Sequence, residues 1–92
     1  MYQISPNKKF KKQLRKLDRS GNFDRAKLDT LLDIITRRKV LPPVYRDHEL
    51  KGDMAGLREF HLSSDIVIVY EISEALKEIF LYEVGSHSEI FG

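Results

Sequence analysis

The sequence contains no cysteine, and only three prolines, five glycines and two methionines in 92 residues. Without cysteine there can be no disulfide, no thiolate nucleophile and no cysteine-ligated zinc. No apolar run approaches the roughly 18 residues that a membrane-spanning helix needs. The stretch Met1–Lys16 is polar and basic, unlike a signal peptide. A cytoplasmic location, with no membrane partner, is the expectation. No two histidines stand four residues apart, the spacing that puts two metal ligands on one helical face. No metal or other cofactor is expected.

Acidic residues are also scarce, but only in the first half. Residues 1–40 hold twelve Lys/Arg against four Asp/Glu, a balance of +8, whereas residues 41–92 hold four against ten, a balance of −6. A basic surface joined to a less basic region fits a polyanionic partner such as nucleic acid. The same pattern also describes a solvated, lysine-rich helix face. With 41% hydrophobic and 33% charged residues, the chain 1–92 is expected to form one domain around a single modest core.

Tyr2 and Ile4 alternate with Gln3 and Ser5, enough for a short first strand. Pro6 and Asn7 open a helix whose Phe10, Leu14 and Leu17 form one apolar stripe. Lys8, Lys9, Lys11, Lys12, Arg15, Lys16 and Arg19 cover the rest of it. Ser20, Gly21 and Asn22 break the helix. A second helix is expected over about 24–38, with Leu28, Leu31, Leu32 and Ile35 inward and Arg37, Arg38 and Lys39 at its negative end. Pro42 and Pro43 forbid continuation. Residues 44–56 read as a loop with room for a short strand or turn, and 57–62 as a strand. Ser63, Ser64 and Asp65 are turn chemistry. Ile66–Tyr70 is apolar on both faces and should be a central, buried strand. A turn at 73–76 leads to a last strand over 77–84. The sum is an α+β fold, two N-terminal helices on one face of a small, mainly antiparallel sheet.

The three histidines, His48, His61 and His87, all lie in the second half, each beside a turn or strand end. Histidine is the side chain whose ordinary pKa suits it to move protons near neutral pH. In antiparallel pairing the end of one strand abuts the start of its neighbour, so Asp65 and His87 should approach each other. His48 can reach the same edge through the loop that precedes His61. Imidazoles, an orienting carboxylate and the cations Arg46, Lys51 and Arg58 can together support cleavage of RNA, which supplies its own 2′-hydroxyl nucleophile.

The segments LPPVYRDHELKG, REFHLSSDIVIVY and VGSHSEIFG resemble YafQ-type toxins of the RelE superfamily, the ribosome-associated mRNA interferases of bacterial type II toxin–antitoxin modules. The likeness covers nearly the whole chain. It implies a RelE/ParE-like fold and an active site containing His48, His61, Asp65 and His87. His87 would be the leading proton-transfer residue and Asp65 its partner. Phe91 falls where the family places an aromatic that holds RNA, a stacking contact of roughly 1–3 kcal/mol per base. The implied partners are the ribosome, mRNA and a cognate antitoxin, with the toxin alone monomeric. One departure stands out: where the family usually has arginine, four residues before the C-terminal histidine, this chain has Glu83. Arg46, Lys51 or Arg58 would then meet the phosphate, or activity would be weakened. Ile66, where some members have tryptophan, is a milder change. A gyrase-directed toxin of ParE type and an attenuated binding module on the same fold are the alternatives. Strand alternation puts Glu83 on the face of Ile79 and Leu81.

Overall fold

The helices begin where side chains replace missing backbone partners. In the computed structural model, which describes residues 1–92, the Asn7 side chain accepts the Phe10 N–H at 2.7 Å and starts helix α1, Lys8–Ser20. Gly21, at φ +81°, ends it in the left-handed conformation that suits a residue without Cβ. Asp24 accepts the Lys27 N–H at 3.0 Å and caps α2, Arg25–Thr36. That helix stops two residues before the expected limit because Arg38, at φ +55°, turns the chain. The Arg38 and Lys39 N–H groups then close back on the carbonyls of Ile35 and Ile34.

Five strands form one sheet: β1 (Gln3–Pro6), β2 (His48–Glu49), β3 (Arg58–His61), β4 (Val67–Ser73) and β5 (Glu78–Gly85), in the order β1-β5-β4-β3-β2. Only β1 runs parallel to its neighbour; the other pairs are antiparallel. Short 3-10 turns at Pro43–Tyr45 and Gly52–Met54 bracket β2, and a short helix α3, His87–Phe91, follows β5. Helix residues Phe10, Leu28, Leu31 and Ile35 pack on Phe60, Leu62, Ile68, Tyr70, Ile79, Leu81 and Val84, which form the inner face of the sheet. Val67 and Val69 on the other face are also buried, so β4 is central and covered on both sides, as its composition requires.

A β-bulge changes what β5 shows to each side. Val69 pairs with Glu83 but Tyr70 pairs with Leu81, so Tyr82 is the extra residue. Ile79 and Leu81 stay inward and the next inward residue is Val84. The expectation that Glu83 shares the face of Ile79 and Leu81 is therefore wrong: the bulge resets the alternation and turns Glu83 outward. β1 pairs with β5 only as far as Leu81. Beyond that point the β5 edge is met by α1, whose Gln13 side chain accepts the Val84 N–H at 2.9 Å.

A buried polar strut fixes the loop before β2. The Tyr70 hydroxyl donates to Asp47, and Arg58 Nε donates to the same carboxylate at 3.4 Å. Burial, followed by the hydrogen bond to Asp47, pushes the phenol far above its ordinary pKa, so it remains a donor. Tyr70→Phe is expected to cost about 1.5–3 kcal/mol, the usual range for a hydrogen bond to a charged group. A fall in the urea midpoint with an unchanged m-value would show this; an unchanged midpoint would mean that the Asp47–Arg58 pair holds the loop alone.

Candidate active site

The outer face of the sheet carries two rows set by strand register. His48 of β2, Glu59 of β3, Val69 of β4 and Glu83 of β5 form one row; His61, Val67 and Gly85 form the next. Two residues past Gly85 the chain reaches His87. The three histidines thereby converge on an open cleft of about 460 Å³ lined by Arg46, His48, Glu59, His61, Ser64 and His87.

Glu59 is the centre of this cleft and is only 4% exposed. His61 Nε2 lies 3.3 Å from its Oε1, and His48 Nε2 lies 3.6 Å from its Oε2. The two rings are 6.3 Å apart and nearly parallel, at 20°. His48 Nδ1 donates to the Arg46 carbonyl at 2.6 Å, while the Arg46 guanidinium reaches His61 Nδ1 at 3.3 Å. Desolvation and then the charge of Arg46 hold the His61 pKa below its ordinary value; His48 and His87 add to this and Glu59 opposes it. His61 is thus kept neutral near pH 7, with a buried carboxylate at one nitrogen. Such a ring can accept a proton at the other.

His87 opens α3. Ser86 caps that helix by accepting the Glu89 N–H, and the Glu89 side chain accepts the Ser86 N–H in return. This capping box aims His87 at the cleft and sets Phe91 against it, ring centroids 4.7 Å apart and planes tilted by 42°. A Cβ at Gly85 would sit 3.3 Å from Glu89 Oε1, so a larger residue there would press on the capping carboxylate.

The remaining sequence candidates are placed differently. Asp65 is exposed in the turn after His61. Its N–H is held by Ser63 Oγ at 3.3 Å, and its carboxylate makes no hydrogen bond or ion pair with His87 or any other side chain. The strand ends do meet, Val67 opposite Gly85, but the turn leaves Asp65 outside the cleft. Arg58 shares the inner face with Phe60, opposite Tyr70, and is committed to Asp47 and Glu49; it does not join the histidines. Lys51 is exposed in the loop after β2, away from the cleft lining. Glu83 faces outward but is paired with Lys9 of α1 at 2.9 Å. Arg46 is thus the cation lining the cleft. Sequence reasoning missed Glu59, although its position two residues before His61 on a strand was a usable signal. No group of three or more His, Asp or Glu side chains is arranged to hold a metal ion.

A family model described as the bacterial toxin of type II toxin–antitoxin system, YafQ, matches residues 2–92. The mRNA interferase toxin YafQ of Escherichia coli K12 is 31% identical over 78 residues, 84% of this chain and 83% of its own. Among solved structures, a metal-bound toxin from Helicobacter pylori superposes with a TM-score of 0.91 at 38% identity, over 99% of this chain and all of that one. The E. coli DinJ–YafQ complex matches with a TM-score of 0.84 at 29% identity, over the full length of both chains.

Proposed function

The chain belongs to the YafQ family of type II toxin–antitoxin toxins, and we propose that it is an endoribonuclease that cuts mRNA during translation. The observation that carries this reading is the convergence of His48, His61 and His87 on one open cleft with a buried carboxylate and one cation. His61, with the buried Glu59 carboxylate 3.3 Å from its Nε2, takes the proton of the 2′-hydroxyl at Nδ1. The 2′-oxygen attacks the adjacent phosphorus, the P–O5′ bond breaks, and His87 gives its proton to the departing 5′-oxygen. Arg46 neutralises the phosphate, in place of the arginine that Glu83 replaces, and His48 braces Glu59 from the far side. Phe91, tilted against His87, offers its ring to a base. Asp65 and Lys51, at the rim, are left to contact RNA outside the reacting phosphate.

The basic face of α1 supplies the wider surface. Lys12, Lys16 and Arg19 border a groove that runs between α1 and the end of β5 to Glu89 of α3, so the lysine-rich helix leads to the element carrying His87 and Phe91. Ribosomal RNA and the acidic parts of an antitoxin are the partners such a surface fits. The YafQ relative complexed with DinJ supports an antitoxin as one of them.

The H. pylori relative is described as metal-bound. In this chain the guanidinium of Arg46 occupies His61 Nδ1, which does not suit a metal ligand. The expected products are a 2′,3′-cyclic or 3′-phosphate and a 5′-hydroxyl. Mapping cleaved ends of a translated mRNA, with the purified toxin first stripped of metal and then assayed on intact ribosomes, tests this. A 5′-phosphate end, or activity that returns only on adding a metal, would overturn the mechanism.

A further inference from the structure

Arg46 hydrogen-bonds both paired imidazoles, through two different parts of itself. Its carbonyl accepts from His48 Nδ1 and its guanidinium contacts His61 Nδ1. It can do both because its backbone is left-handed, φ 47° and ψ 45°, a conformation uncommon for a residue with a Cβ. A guanidinium can only donate, so the Nδ1 lone pair of His61 is the acceptor and the ring proton lies on Nε2, facing Glu59. In the free protein, then, a cation covers the nitrogen that the cleavage reaction uses as base.

We propose that Arg46 is a latch on His61 that the RNA phosphate releases. The contact is long, 3.3 Å, and joins a cation to a neutral ring. A phosphate offers the same guanidinium a shorter, charge-assisted and bidentate pair, roughly twice as strong. When the phosphate enters, the guanidinium turns to it and uncovers His61 Nδ1, in one movement that seats the substrate and arms the base. Loss of the nearby cation also removes one of the causes that hold the ring neutral. This rests on the ribonuclease reading for its purpose, but not for its observation.

The charged and titratable groups around His61 are Arg46 and His48 from the loop and β2, Glu59 from β3, His87 from α3, and Lys27 of α2 and Tyr45 across an adjoining pocket. The test follows the His61 ring by NMR against pH, in wild type and in Arg46→Gly, with and without a 2′-deoxy trinucleotide that cannot be cleaved. Glycine keeps the left-handed backbone and the carbonyl that holds His48, and Arg46→Lys serves as a second variant in case the loop loosens. In Arg46→Gly alone the His61 midpoint should move up, with His48 Nδ1 still bonded. At concentrations that saturate each protein, the trinucleotide should raise the wild-type midpoint more than that of Arg46→Gly, where only the phosphate's own charge acts. An unmoved midpoint in Arg46→Gly, equal responses in both proteins, or no wild-type response would each overturn the latch. None of these readings depends on cleavage. A protein that fails to cut mRNA would sink the ribonuclease reading while leaving the latch to be judged separately.

Discussion

His87→Ala is expected to slow single-turnover cleavage on mRNA-programmed ribosomes by about 100- to 10,000-fold, the usual contribution of a general acid or base. The fold should not register the change. His87 is exposed, its only aromatic partner is Phe91, and it makes no hydrogen bond through its side chain. The helix it opens is held by Ser86 and Glu89 on either side, and alanine is a good helix former. An unchanged urea midpoint beside a collapsed rate therefore separates chemistry from stability. His61→Ala would not give so clean a result, because it leaves the buried carboxylate of Glu59 with one imidazole instead of two. A His87→Ala protein that cuts at the wild-type rate would remove His87 from the mechanism and move the acid role to His48.

How much of this site the sequence could disclose depended on which force placed each residue. The apolar stripe of α1 and the doubly buried β4 were legible because burial leaves a periodic trace. The meeting of the β4 start with the β5 end follows from pairing, and it was realised as Val67 opposite Gly85. Arg58 was legible too, in hindsight: alternation along REFH puts it with Phe60 and puts Glu59 with His61, so the arginine belonged to the inner face from the start. The capping spacing of Ser86 and Glu89 was likewise a usable signal for α3, one that the reading of the sequence left unused. Asp65 was not legible, since a turn of small polar residues does not fix where a carboxylate points. The bulge was not legible either. It depends on how β5 meets β4 and α1, and no local residue pattern in IFLYEVG demands an extra residue at Tyr82.

That bulge is why substituting Glu83 matters. Without it the side chain would point into the core with Ile79 and Leu81; with it, Glu83 stands in the row Glu59–Val69–Glu83 on the outer face. Two strand spacings, about 10 Å, separate it from Glu59, a span that a long side chain can largely bridge. At present its charge is met by Lys9 at 2.9 Å, with Lys9 64% and Glu83 18% exposed. A pair whose lysine lies in solvent contributes only about 1 kcal/mol, and an unchanged urea midpoint in Lys9→Ala and Glu83→Arg would show that breaking it leaves the fold intact. Glu83→Arg exchanges a carboxylate for a second guanidinium beside the cleft that Arg46 now serves alone. One well-placed charge-stabilising group is worth about 100- to 1000-fold in rate. The gain should be a fraction of that, because Arg46 already meets the phosphate and the newcomer repels Lys9. Glu83→Gln removes the repulsion and frees Lys9 without adding a donor cation, and should recover a smaller part. The measurement is single-turnover cleavage on programmed ribosomes at matched toxin concentrations, repeated in Lys9→Ala to separate loss of the pair from gain of the guanidinium. If Glu83→Arg is slower than wild type while Lys9→Ala is also slow, the Lys9–Glu83 pair itself positions α1 for binding, and Arg46 needs no second cation.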